Sequence, residues 1–158
     1  MASKSSGSTP DLQILFADLV RTEVRLYNAL NDGLRERHGI VTSQYEVLRY
    51  LRAHPGCRVA DVAGELAVGV GATSKGIDRL EQRGWVARQP NPADRRSSLL
   101  VLTDEGVRLI DDAAPDVADL LASLAGGALG GDQLTALASA LSVLRAALER
   151  DQVGVPVG

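Results

Sequence analysis

Apolar residues return at Leu12, Leu15, Phe16, Leu19, Leu26, Tyr27, Leu30 and Leu34, the three-and-four spacing that lines one face of an α-helix. Thr9-Pro10-Asp11 reads as the entry to that helix: threonine as N-cap, proline in the first turn, then an acid favoured by the helix dipole. Gly39 after His38 reads as its left-handed stop. At 1.5 Å per residue, such a helix of about 27 residues is about 40 Å long. One small domain has difficulty burying a rod of that length, which points to a second chain.

Shorter elements follow. Ser43 and Glu46 fit a capping box, with Thr42 as a competing cap, ahead of the apolar Val47, Leu48 and Leu51; Pro55-Gly56 closes this second helix. Val59, Val62, Ala63 and Leu66 make a short stripe, and Gly69 allows a sharp turn. A fourth helix covers residues 70–83, with Thr73, Ile77 and Leu80 facing inward and Gly84 beyond its end. The pattern then becomes extended. Residues 85–89 and 98–102 read as the strands of a hairpin, with Asn91-Pro92-Ala93-Asp94 supplying turn residues at its tip.

Thr103 caps a fifth helix, with Asp104 and Glu105 in its first turn and Pro115 as a kink. Gly126-Gly127 and Gly130-Gly131 bracket a loop. A last helix over residues 132–150 sets Leu134, Leu137, Leu141, Leu144 and Leu148 at alternating spacings of three and four. That seam serves either a coiled coil or packing within the chain. Residues 1–10 and 151–158 read as flexible tails.

Two short helices joined by a tight turn, then a basic hairpin, describe a winged helix-turn-helix. The fold class expected is mainly α with a small β-hairpin wing. Composition agrees: the 158 residues are 45% hydrophobic and 23% charged, a globular balance, and charges interrupt every apolar run before it reaches membrane-spanning length. No apolar block follows the Ser/Gly-rich start, so no secretory signal is expected, and a single cysteine, Cys57, fits a reducing cytoplasm. Five aromatic residues, Phe16, Tyr27, Tyr45, Tyr50 and Trp85, are too few and scattered to stack single-stranded nucleic acid. No P-loop, G-x-S-x-G, H-E-x-x-H or paired-carboxylate arrangement occurs, so neither an enzyme nor a cofactor is expected. With two histidines, His38 and His54, no metal site is expected either.

The formal charge of −3 is unevenly spread. Residues 1–57 carry 7 basic and 6 acidic side chains, residues 58–102 carry 7 and 5, and residues 103–158 carry 3 and 9. A modestly basic middle beside an acidic end suits a local phosphate-binding face. On the fourth helix the inward stripe leaves Gly71, Ala72, Ser74, Lys75, Asp78 and Arg79 on the outer and flanking surfaces. The small residues let the helix sit deep in a major groove, while Ser74 and Lys75 reach base edges or phosphate. Asp78 would repel phosphate, so it is expected to buttress a wing arginine instead. Arg79 either binds phosphate or pairs with Glu81 or Glu46.

The ordered set Gly71-Ala72-Thr73-Ser74-Lys75, Asp78-Arg79-Leu80-Glu81, Gly84-Trp85-Val86, Asn91-Pro92-Ala93-Asp94-Arg95-Arg96 and Leu102-Thr103-Asp104-Glu105-Gly106 resembles the MarR family of bacterial winged-helix regulators. The resemblance covers roughly residues 12–150 and is most specific from Asp78 to Gly106. It implies a homodimer that binds pseudo-palindromic double-stranded DNA, with residues 70–83 as recognition helix. It implies a domain order of N-terminal dimerisation helix (11–39), DNA-binding domain (40–102) and C-terminal dimerisation helices (103–150). In the family's D-x-R wing motif an arginine held by an aspartate enters the minor groove. Here those positions are Arg96 and Asp94, with Arg95 between them as a phosphate contact.

The resemblance also implies a small-molecule effector in a crevice between the dimerisation helices and the winged domain, where Tyr45, Tyr50, Trp85 and Arg88 are candidates; each is equally explained as core packing or surface charge. Relatives that sense oxidants through a cysteine in the first helix have no counterpart here, since that helix holds none. The function expected is a sequence-specific regulator that represses by occluding a promoter. The rival readings are a winged helix used for protein–protein contact and a helical dimer that binds only small molecules.

Overall fold

The computed structural model describes residues 10–156. The expected cap Thr9 and the rest of the N-terminal tail, apart from Pro10, lie outside the described residues. Helix α1 (Leu12–His38) begins at Asp11 instead, whose carboxylate accepts from the backbone N–H of Gln13 at 2.8 Å and of Ile14 at 3.3 Å. Pro10 therefore precedes the helix rather than forming its first turn. Gly39 ends it in the left-handed region (φ 65°), its N–H donating to the Arg35 carbonyl.

Helix α2 (Thr42–Ala53) starts one residue before the expected Ser43 cap. Its N-cap is Val41, which has no capping side chain, and Gln44 Oε1 accepts from the Val41 N–H at 3.0 Å. Thr42 is used elsewhere: its hydroxyl donates to the Tyr27 carbonyl and its N–H to Asn31 Oδ1, both at 3.2 Å. These two bonds fix the angle between α1 and α2. Glu46, the expected reciprocal acid, pairs with Arg49 at 2.9 Å.

Helix α3 (Val59–Glu65) and helix α4 (Val70–Gln82) form the helix-turn-helix pair, and strands β1 (Val86–Pro90) and β2 (Ser98–Leu102) form the antiparallel wing. The register runs from Val86 opposite Leu102 to Pro90 opposite Ser98. Cys57 adds a single bridge to β2, with Leu100 N–H donating to the Cys57 carbonyl and Gly56 N–H to the Leu100 carbonyl, both at 2.8 Å. The chain entering α3 is thereby tied to the wing.

Helix α5 (Asp104–Gly126) is capped by Thr103, whose hydroxyl accepts from Gly106 N–H and donates to the Gly84 carbonyl. It continues through Pro115 as one helix. Ala113 and Val117 are buried on either side of the proline and hold it to the core. Gly106 is a position of close approach: a Cβ there would stand 2.1 Å from the Trp85 carbonyl oxygen. Helix α6 (Gly131–Arg150) leads into a hydrogen-bonded turn, with Val153 N–H donating to the Leu148 carbonyl, where a flexible tail is expected. Residues 157–158 lie outside the described residues.

The core closes around Leu48 and Leu51 of α2, Val62 of α3, Ile77 and Leu80 of α4, Val86 and Leu100 of the wing, and Ile110 of α5, none more than 2% exposed. By contrast, α1 buries only Leu34 and α6 buries nothing. No described helix is long and apolar enough to cross a membrane.

Candidate nucleic-acid interface

The α4 stripe falls where the 3.6-residue period puts it: Thr73, Ile77 and Leu80 are buried, Gly71, Ala72, Lys75, Asp78 and Arg79 are exposed, and Ser74 is half-buried. Thr73 satisfies its hydroxyl by donating to the Gly69 carbonyl at 3.1 Å, inside its own first turn. Among the described residues Lys75 and Arg79 make no ion pair. The two acids that competed for Arg79 are already engaged, Glu46 with Arg49 and Glu81 with Arg88. Pairing with Glu81 or Glu46 is therefore not the role of Arg79.

Asp78 braces a wing arginine, though at the base of the wing rather than its tip. The Arg88 guanidinium on β1 donates to Asp78 Oδ1 at 2.6 Å and to Glu81 Oε2 at 3.3 Å. Both acids lie on α4, one turn apart, so one planar fork spans the helix and the strand. The pairs are partly solvated, with the Arg88 side chain 25% exposed and Asp78 52%, and their contribution to global stability is correspondingly modest. Their effect is geometric, fixing the wing's angle against α4.

The wing tip is tied by its own short side chains. Asn91 Oδ1 accepts from Ala93 N–H at 3.0 Å, and Asn91 Nδ2 donates to Ser97 Oγ at 2.9 Å. Asp94 Oδ1 accepts from the backbone N–H of Arg96 at 3.0 Å. Asp94 thus holds Arg96 by its main chain and not by its guanidinium. Both Arg95 and Arg96 project as exposed side chains with no ion-pair partner among the described residues.

None of the four residues expected around an effector crevice lines either of the two cavities described below. Tyr45 is 5% exposed in the core, where burial pushes its hydroxyl pKa up. Tyr50 stacks on His54 with ring centroids 4.3 Å apart. Trp85 is buried beneath the Arg83 guanidinium, which lies 4.3 Å from the ring centroid, and Arg88 is committed to α4. Two cavities lie elsewhere among the described residues. One, of about 410 Å³, opens between the start of α2 and the flank of α4, with Tyr27, Val47, Leu66, Val68, Gly76 and Arg79 among its walls. Another, of about 400 Å³, lies between α1 and α5 beside Arg37, His38 and Asp116. Their lining residues come from separate elements with ordinary core patterning, so no local spacing in the sequence marks them.

Cys57 is half-buried, and burial pushes its thiol pKa up, away from the reactive thiolate. His54 Nδ1 sits 3.1 Å from the Tyr50 carbonyl near the end of α2, and His38 Nε2 sits 2.8 Å from Asp116 Oδ2. Among the described residues no group of three His, Cys, Asp or Glu side chains gathers to hold a metal ion.

Comparison with known proteins gives these elements a context. Residues 40–98 match the model of the MarR family. The HTH-type transcriptional regulator MhqR of Bacillus subtilis is 27% identical over 95 residues, 58% of this chain and 66% of its own length. Across the curated relatives the match spans between about half and two thirds of their length. The transcriptional repressor CouR, solved bound to a 23-mer DNA duplex, superposes with a TM-score of 0.73 at 29% identity, covering 87% of this chain and 99% of its own. Sco3205, a MarR family transcriptional regulator from Streptomyces coelicolor solved in complex with DNA, shares the fold over 97% of this chain and 98% of its own, with a TM-score of 0.82 at 22% identity.

Proposed function

This chain belongs to the MarR family, and from that premise we propose that it is a cytoplasmic, homodimeric, sequence-specific binder of double-stranded DNA that represses transcription by occluding a promoter. The observation that carries the reading is the pairing of two bare surfaces at a fixed angle. One is the small, polar and basic outer face of α4, with Gly71, Ala72, Ser74, Lys75 and Arg79; the other is the Arg95–Arg96 tip. The Arg88 fork to Asp78 and Glu81 locks one to the other. Small side chains let α4 enter a major groove, where Ser74 and Lys75 meet base edges and phosphates. Arg96 enters the flanking minor groove, whose negative potential favours guanidinium, and Arg95 meets the backbone. A two-fold dimer presents two such units to half-sites about 34–36 Å apart.

The cavity behind α4 is the place for an effector. A small molecule filling the space between Val47 of α2 and Gly76 of α4 bears directly on the back of the recognition helix. It shifts DNA affinity to the extent that it binds the DNA-competent and incompetent positions of α4 unequally.

The test is a titration of the full chain against duplexes recovered from a random library, at two or more salt concentrations. Binding should weaken steeply with salt, and Lys75→Ala should lower the log–log slope by about one. Arg96→Ala should cost about 1–3 kcal/mol of binding while the dimer remains intact. Failure to retain any duplex at low ionic strength overturns the reading.

A further inference from the structure

Between residues 40 and 102, the only large hydrophobic side chains that stand exposed are Val68 and Val70, 42% and 51% exposed respectively. Every other exposed large hydrophobic among the described residues lies on the flanking helices or beyond them. Val68 has structural work to do. Its N–H donates to the Ala63 carbonyl at 3.0 Å to close the turn after α3, and its side chain walls the cavity between α2 and α4. Val70 has none. It is the first residue of α4, lines neither cavity and belongs to no core cluster. A β-branched aliphatic residue held in water at the start of a helix contributes nothing to folding that a polar residue would not supply more cheaply.

Its position gives it a partner. Residues four apart on a helix form one ridge, so Val70 continues the line through Ser74 and Asp78 toward the amino end of α4. In a helix-turn-helix the amino-terminal residues of the recognition helix contact base edges. The major-groove edge that offers an apolar surface is that of thymine, through its C5 methyl. We propose that Val70 reads thymine: its methyl groups pack against the C5 methyl of one thymine in each half-site. This rests on the DNA-binding reading and adds a base preference to it. Gly71 beside it carries no side chain to hold the backbone off, and Ser74 one turn on is free to bond a neighbouring base edge.

The experiment uses the full chain and the tightest duplex selected from a random library. Each thymine is replaced singly by deoxyuridine, which keeps base pairing and removes only the methyl group, and affinity is read by fluorescence anisotropy. For the unaltered chain, one symmetry-related pair of thymines should each show a loss of about fourfold, the worth of one buried methyl. Val70→Ala should bind the thymine and deoxyuridine duplexes alike at that position, while Val70→Ile keeps the discrimination. Circular dichroism checks that both variants remain folded. A flat deoxyuridine scan, or an undiminished penalty in Val70→Ala, overturns the thymine contact while leaving DNA binding in place. If no duplex is retained at low salt, the DNA-binding reading falls and the contact falls with it.

Discussion

The winged core and the rods that flank it draw on the same aliphatic residues and dispose of them in opposite ways. In the core, Leu48, Ile77 and Leu100 are fully buried, and three helices, a hairpin and the first half of α5 meet around them. On α1 and α6, Phe16, Leu141 and Leu144 stand 66%, 40% and 51% exposed in a single chain. Hydrophobic burial stabilises only what it removes from water. The core is therefore a finished object in one chain, whereas α1 and α6 leave apolar faces uncovered, and on the proposed reading what covers them is a second copy. The division would also separate tasks in the proposed dimer, since the core sets the angle between α4 and the wing while the rods would set the distance between two cores.

The largest effect expected is on the unfinished half. Leu141→Asp with Leu144→Asp removes four leucines from the proposed dimer interface, at about 1.5–3 kcal/mol each, or about 6 kcal/mol and more in all. Sedimentation should show monomers that keep their helical signal and lose duplex binding. A variant that still sediments as a dimer would break the comparison outright, because α6 would then not be a shared surface.

Next in size is a blow to the finished half at its joint with α5. Gly106→Ala places a methyl group 2.1 Å from the Trp85 carbonyl oxygen, which is backbone and which itself accepts from Thr103 N–H at 3.0 Å. Neither side can retreat without moving β1 or the start of α5. A loss of about 3 kcal/mol in urea unfolding is expected. An unchanged midpoint would mean that the joint is softer than its geometry implies.

What the sequence makes legible follows the same boundary. The α4 stripe of Thr73, Ile77 and Leu80, the hairpin, and the unburiable length of α1 are all read from periodicity, because each depends on the backbone repeat alone. Partnerships between elements are not. That Arg88 faces Asp78 and Glu81 rather than a crevice, and that Asp94 holds Arg96 by its main chain, depends on how β1 and the tip are tilted, which no spacing encodes. Tyr45 and Trp85 carry polar atoms and so invite a ligand role in sequence, yet both sit in the core. The start of α2 is hidden for a related reason: Ser43 and the competing Thr42 both look like caps, yet the N-cap is Val41, and Thr42 gives its hydroxyl to Tyr27, fifteen residues earlier.

The seam between the two regions carries a pH dependence. The Asp116 carboxyl on α5 is pulled below its ordinary pKa, chiefly by its hydrogen bond to His38; desolvation opposes this, and the charge and hydrogen bond of Arg37 add to the lowering. A carboxyl whose pKa is depressed by folding contributes stability above its unfolded value and loses it as the pH falls toward its folded one. Acidification through and below the usual carboxylate range should therefore loosen α1 from α5. Asp116→Asn should flatten that part of the pH–stability curve, read from urea midpoints at a series of acidic pH values. An acid limb equally steep in the variant would assign the loss to other carboxylates.

The smallest effect expected lies inside the finished half, at Ala67. The turn after α3 is a Schellman motif: Val68 N–H donates to the Ala63 carbonyl and Ala67 N–H to that of Gly64. Its left-handed position, where glycine is usual, holds alanine at φ 50°. The left-handed region costs a residue with a Cβ about 1–2 kcal/mol. Glycine avoids this cost but gives up about 0.5–1 kcal/mol of backbone entropy. Ala67→Gly should thus stabilise the chain by about 0.5–1 kcal/mol in urea unfolding, with the dimer unchanged. The strain persists because the buried residues on both sides, Ala63 and Thr73, fix the ends of the turn and leave Ala67 no other conformation. A loss of stability in the glycine variant would show instead that the Ala67 methyl group holds the two helices together, placing part of the core's closure in a turn exposed to water.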